Sequence, residues 1–335
     1  MTDLDCIAQI EARVGRAVPH MMQDGRCVEL SLASDDALYH GLIRHHPPAE
    51  QWQILQLVCR LTGLRRLNLR RNRVGRLPAE FGRLTELEHV VLGSNELGLV
   101  PAELRGMRRL RSLHLGHNDI AELPGWFGEL DQLEYLALHK NLRLKNLAPL
   151  HGLKRLKNLN LFLLNLLTLP EVLYEFTNLV TLTLWNVAHY PAGLDSFPQL
   201  EFFTLSGTPG GKALPPGFTK LPRLRMTRLH QNSIAELPED LGNLGQLEQI
   251  SLYQNQLSRL PESMAQLHRL TKVNLGWNCF KQLPEWLGRM ERLEWLGIFE
   301  NPLERPALPS PRPGLQIARE WTFSTRQKLP DPQKL

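Results

Sequence analysis

Apolar and polar positions alternate in one fixed order along most of the chain. From Leu247 to Arg292 the sequence reads LEQISLYQNQLSRLPESMAQLHR and then LTKVNLGWNCFKQLPEWLGRMER. Both are 23-residue copies of L-x-x-[IV]-x-L-x-x-N-x-[LF]-x-x-L-P-x-x-[LM]-x-x-[LM]. Self-similarity at such a short period predicts one strand-plus-turn unit per copy, each burying its apolar face only against its neighbours. Paired leucines two apart, as in Leu67 and Leu69 or Leu113 and Leu115, predict a short strand whose inward side chains form the core.

The slot held by Asn falls at Asn72, Asn95, Asn118, Asn141, Leu164, Val187, Thr208, Asn232, Asn255, Asn278 and Asn301, which gives eleven repeats over residues 61–303. A buried amide at the strand exit can bond backbone carbonyls that the turn leaves unpaired. The Leu-Pro that follows sets an extended turn. Glu171, Glu239, Glu262 and Glu285 come next, as suits the start of a short helical turn. Three consecutive repeats lose the Asn, with Leu164, Val187 and Thr208 in its place. Two accounts of this remain open: drift in a long array, or a backbone reshaped for binding.

Ahead of the array, residues 3–14 predict a short helix with Leu4, Ile7, Ile10 and Val14 on one face and Gly15 as its stop. Asp24-Gly25 turns the chain into a strand over 27–32, with Asp35 in the Asn slot, and Pro47-Pro48 opens a second helix carrying Trp52, Leu55 and Val58. Residues 1–60 are therefore expected to cap the first repeat. Residues 304–335 are rich in proline and read as a C-terminal cap or a tail, with Trp321 the one residue to pin it.

These motifs resemble the 23-residue LPxxL class of leucine-rich repeats, which includes scribble-type scaffolds, plant Ras-group-related proteins and bacterial repeat proteins and effectors. The resemblance implies an α/β leucine-rich-repeat solenoid, a curved horseshoe with a concave parallel β-sheet, short helical or 3-10 turns on the convex side and a helical N-terminal cap. It also implies protein–protein binding through the concave face in the cytoplasm. A bacterial effector that engages a host protein through the same face is the alternative.

Chemistry along the chain points the same way. No HExxH, GxSxG or GxGxxG occurs, and Gly210-Gly-Lys-Ala213 lacks the hydroxyl and spacing of a phosphate loop. No enzyme, cofactor or metal site is therefore expected. Cys6, Cys27, Cys59 and Cys279 have no paired spacing and read as small core or cap residues; their scarcity, with no signal peptide or long apolar run, favours a reducing, soluble compartment.

The third, fifth, seventh and eighth positions of each LxxLxLxxN point out of the sheet. Among these 44 positions are Arg66, Arg70, Arg71, Lys140, Arg228 and Lys272, five histidines (His89, His114, His117, His139 and His230), and one carboxylate, Glu300. That excess implies an acidic convex side and a partner of opposite sign. His114, His117 and His139 lie on adjacent strands, yet no carboxylate or thiol joins them to favour a metal. Eight rings fall in the same set: Tyr135, Phe162, Trp185, Phe202, Tyr253, Trp277, Trp295 and Phe299. Strand alternation sends them to the solvent side, where exposed rings flanked by arginine compose binding hot spots. Phe162, Leu163, Trp185 and Phe202 are expected to form an apolar centre, with His139, Lys140, Arg228 and His230 as its charged rim. A protein partner with an acidic rim is expected, rather than nucleic acid or a membrane, because basic residues do not run in tracks.

Overall fold

The computed structural model describes residues 1–33, 41–190, 192–208, 213–304 and 311–319. Asp35, the Gly210-Gly211-Lys212 stretch and Trp321 fall outside these. The chain divides into two compact units: Met1–Leu166 with Pro170–Asn178, and Leu167–Leu169 with the described residues from Leu179 onward.

The first unit opens with the helix α1, Asp3–Val14, held by a Thr2 and Asp5 capping box and closed by Gly15 in the left-handed conformation (φ 77°). Its buried residues are Cys6, Ile7 and Ile10. Leu4, expected on that face, is 58 % exposed; the helix is short and packs on α2 and on one strand, leaving Leu4 on its rim. The hairpin β1 (His20–Gln23) and β2 (Arg26–Ser31) follows, turning at Asp24 and Gly25, both at positive φ. The helix α2, Pro48–Val58, buries Leu55 and Val58. Strands β3 (Arg66–Asn68), β4 (His89–Val91), β5 (Ser112–His114), β6 (Tyr135–Ala137) and β7 (Asn158–Asn160) then pair in parallel, in sequence order, starting from β2.

The second unit repeats the plan with β8 (Thr181–Trp185), β9 (Phe202–Ser206), β10 (Met226–Arg228), β11 (Gln249–Ser251), β12 (Lys272–Asn274) and β13 (Trp295–Gly297), again parallel and in order. The residues after the last Asn contribute a further parallel strand, β14 (Gln316–Ala318), on β13. Short 3-10 turns start directly after Pro78, Pro101, Pro170 and Pro261, where the fixed φ of proline directs the chain into the turn. The leucines of the motif, such as Leu64, Leu67 and Leu69 or Leu270 and Leu275, are fully buried.

The asparagines form a ladder. Asn95 Oδ1 accepts from the amides of Asn72 and Val74, and its Nδ2 donates to the carbonyls of Leu69 and Leu92. An Asn at position 164 would serve the carbonyls of Leu138 and Leu161; these instead accept from Asn141 Nδ2 and from the Leu164 amide. Lys145 Nζ donates to Leu164 O at 2.6 Å in the first unit, and Thr208 Oγ1 to Val187 O at 3.4 Å in the second. An unpaired buried carbonyl would cost about 1–3 kcal/mol, and these contacts avoid it.

One more row holds each sheet in register. The residue after the first leucine of the motif alternates in sign: Arg65, Glu88, Arg111, Glu134 and Lys157 in the first unit, Glu201, Arg225 and Glu248 in the second. Glu134 bridges Arg111 (2.9 Å) and Lys157 (2.7 Å), and Arg225 bridges Glu201 (3.5 Å) and Glu248 (2.9 Å). Each exposed pair is worth at most ~1 kcal/mol, but wrong register would set like charges together.

Candidate functional site

In each unit the outward positions of the strands line one open sheet face. In the first unit, Arg66, Arg70, His117 and Lys140 are exposed there. Arg66 pairs with Glu29 at 3.3 Å. Partial burial, together with the charge of Arg71, pushes the Arg70 guanidinium below its ordinary value. His114 stacks on Tyr135 with ring centroids 4.4 Å apart. His139 leans across the neighbouring strand onto Gly116, and its buried Nδ1 has no hydrogen-bond partner. Burial, reinforced by the charges of their cationic neighbours, pushes His114 and His139 down to about 4, so both imidazoles are neutral near pH 7. A trough of about 460 Å³ opens beside them, lined among others by Met21, Arg66, His89, Val91 and His114.

The second unit differs. Arg228, expected on an accessible rim, is buried at 7 % exposure, and His230 beside it is pushed down to about 4 by burial and by that charge. Trp295 and Phe299, expected on the solvent side, are 5 % and 1 % exposed. The register expected from the motif is right, but direction out of the sheet does not guarantee exposure. Phe299 lies over Gly276 of the preceding strand and reaches Tyr253, with ring centroids 6.0 Å apart, while Trp295 curls over Gly297. Ser251 and Asn274 are buried beneath this cover. Trp277 alone of the second unit's open-face rings stays largely exposed, at 48 %, while Tyr253, Trp185 and Phe202 are half-buried. The accessible positive charge of the open faces is therefore concentrated in the first unit.

The expected apolar centre divides between the units: Phe162 and Leu163, both half-buried, belong to the first, and Trp185 and Phe202 to the second. Trp185 packs against Gly207, so it contributes to packing rather than standing free. The expected acidic convex side also needs correction. Removing the six open-face cations from 39 leaves 33, and removing Glu300 from 34 carboxylates also leaves 33, so the rest of the chain is balanced. Its carboxylates sit in pairs such as Glu129 with Arg105 and Arg108, or Glu239 with Arg259.

Among the described residues, no group of three His, Cys, Asp or Glu is placed to hold a metal ion, and no helix is long and apolar enough to cross a membrane. Cys6, Cys27 and Cys59 are buried, and burial pushes the Cys27 and Cys59 thiols up to about 11 and about 12. Cys279, expected as a small core or cap residue, is exposed at the position after the buried Asn278.

Sequence signals for two of these features are present in the aligned repeats. Glycine recurs at the seventh position in Gly93, Gly116 and Gly276, the last two beneath a ring from the next repeat, and the sign alternation is visible in the second column.

The comparisons agree with this architecture. Residues 62–120 match a leucine-rich repeat model and residues 192–306 a leucine-rich repeat region model. No curated protein matches the sequence. The internalin inlF of Listeria monocytogenes superposes with a TM-score of 0.65 at 19% identity, covering 96% of this chain and 95% of that one. The leucine-rich repeat domain of the type III effector XopL gives 0.58 at 22% identity, over 82% and 95%. A structure of the Drosophila Toll–Spatzle complex gives 0.60 at 22%, over 76% of this chain but 39% of that one. At these identities the likeness carries the fold alone. With the 23-residue period, the asparagine ladder and the ordered parallel strands, it makes this chain a leucine-rich-repeat protein.

Proposed function

We propose that the chain is a protein-interaction module without catalytic activity, and that it engages an acidic partner protein on the open sheet face of the first unit. One observation carries this reading. The exposed cations of the open faces collect in the first unit, at Arg66, Arg70 and Lys140, while the remainder of the chain is charge-balanced. Glu29 is the one carboxylate among the described outward positions of that face. A surface of one sign steers a partner of the other sign and accelerates its association.

The trough beside His114 supplies the apolar element of such an interface, through Val91 and the 53 % exposed Met21. A desolvated apolar pocket with a charged rim divides affinity from steering in most protein interfaces. The second unit's open face, paved by its own rings, contributes packing, with Trp277 as its one prominent contact residue.

Affinity capture from source cells tests the reading. Wild-type protein and the double variant Arg70→Glu, Lys140→Glu should be compared at equal thermal stability. A partner retained by the wild type and lost from the double variant supports it. A partner retained equally by both contradicts it.

A further inference from the structure

Arg70 and Lys140 stand on the first and fourth repeats, at the seventh and eighth positions of the motif, so three strand steps separate them. At about 4.8 Å per step their strands lie roughly 14 Å apart. The exposed His117 lies between them along this direction, one strand short of Lys140. Beneath the path the seventh-position row carries no side chain on two successive strands, at Gly93 and Gly116. Gly116 is covered by the ring of His139. Gly93 is itself buried, and the closest atom to a Cβ added there is the Gly116 carbonyl oxygen at 3.1 Å.

Charge is arranged to match. Arg70 is felt at both His114 and His139, and Lys140 at His139, and no carboxylate acts on either imidazole. Like charges gathered on one face cost stability in the free protein, and that cost is relieved by an anionic ligand.

We propose that this face binds an extended acidic segment of a partner protein, running across the strands, with two carboxylates four residues apart on Arg70 and Lys140. The proposal deepens the interaction role proposed above and rests on it. An extended chain advances about 3.3 Å per residue, so residues i and i+4 are roughly 13 Å apart. Side chains alternate sides, so i, i+2 and i+4 all face the sheet. The middle residue, roughly 7 Å along, then passes between the second and third repeats. A spacing of three places the second carboxylate on the far side of the peptide and loses one of the two contacts.

Fluorescence anisotropy with labelled ten-residue peptides tests this on the full chain at low ionic strength, where surface charge is least screened. The host is alternating Ser and Thr, with Glu at positions 3 and 7, at positions 3 and 6, or with Gln at 3 and 7. The four-spaced peptide should bind about five- to tenfold more tightly than either control, which corresponds to roughly 1–1.4 kcal/mol. Arg70→Gln and Lys140→Gln should each abolish that preference, while Arg70→Lys should retain most of it. Equal affinity for the two spacings overturns the proposal, as does a preference that survives both Gln variants. A ten-nucleotide thymidine oligomer that competes as well per charge overturns it in favour of nucleic acid. Loss of binding in Arg66→Gln instead, with the Arg70 and Lys140 variants unchanged, overturns it while leaving an interaction on the first unit's open face intact. Binding unchanged in all the variants overturns both.

Discussion

The imidazole of His139 lies against Gly116, the residue at the same motif position of the preceding repeat, so closely that a Cβ on Gly116 would stand 2.2 Å from ring carbon Cε1. Phe299 stands to Gly276 in the same way, with 2.1 Å to Cε2. Both pairs join residues 23 positions apart across one strand step. The glycine of one repeat thus makes room for the ring of the next.

Gly276→Ala should destabilise the protein by roughly 2 kcal/mol, because Phe299 is fully buried and has nowhere to retreat. Gly116→Ala should cost less, about 1 kcal/mol, since the half-buried His139 can swing toward solvent. Gly98→Ala meets nothing within 4 Å and serves as the control, with no loss expected. Urea unfolding midpoints check the order.

The open-face rings should separate by burial rather than by chemistry. Phe299→Ala is expected to cost about 3 kcal/mol of stability. Trp277→Ala, about half exposed, should change stability by no more than ~0.5 kcal/mol. Trp185→Ala falls between, so any effect on binding must be read beside its stability. Thermal unfolding of the three variants gives the comparison.

Removing one rung of the asparagine ladder should be expensive. Asn95→Ala strips an acceptor from two buried amides and a donor from two carbonyls. A loss of roughly 2–4 kcal/mol is expected. The same logic applies to Lys145→Met, which removes the donor to Leu164 O, but that contact is only part-buried and should cost about 1 kcal/mol. Equal losses in the two variants would show that the Lys145 contact weighs as much as a full rung of the ladder.

Stability should fall in acid through three imidazoles. Burial and neighbouring cations hold His114 (facing Arg70, His89, His139 and Tyr135), His139 (facing Arg70, His117 and Lys140) and His230 (facing Arg228) at about 4 when folded. In the unfolded chain they titrate near 6.5. Between these values the unfolded state binds more protons, so stability is full above about pH 6.5 and is lost as pH falls toward 4. The loss amounts to roughly 1–3 kcal/mol for each imidazole. Urea unfolding at pH 7.5, 6 and 4.5 should show it, with a shallower fall in the triple His→Asn variant. A profile that is flat from 7.5 to 4.5 contradicts the buried-imidazole account.

Period, core and ladder were legible in the sequence because each depends on residues within one repeat. Leu67 and Leu69, the Asn slot and the Leu-Pro turn are set by local spacing. The N-terminal helix and its glycine stop were legible for the same reason. Accessibility of the open face was not, because it depends on what stands 23 residues away on the next strand. Phe299 is buried by what surrounds it over Gly276, and Arg228 is buried on a sheet face between Thr204 and Ser251 of the flanking strands. Alternation assigns a residue to a face; only its neighbours decide whether solvent reaches it. The Lys145 contact to Leu164 O was hidden for a similar reason, lying 19 residues from the carbonyl it serves.

Site-specific photocross-linking tests the central claim, that the first unit's open face contacts the partner. p-Benzoylphenylalanine would replace the exposed His117 on that face, or the exposed Arg155 on the turn before the fifth repeat's strand. Each full-length variant is then irradiated with the captured partner. A covalent adduct from position 117 and none from position 155 is the predicted result. An adduct from position 155 alone would place the partner on another surface and contradict the account.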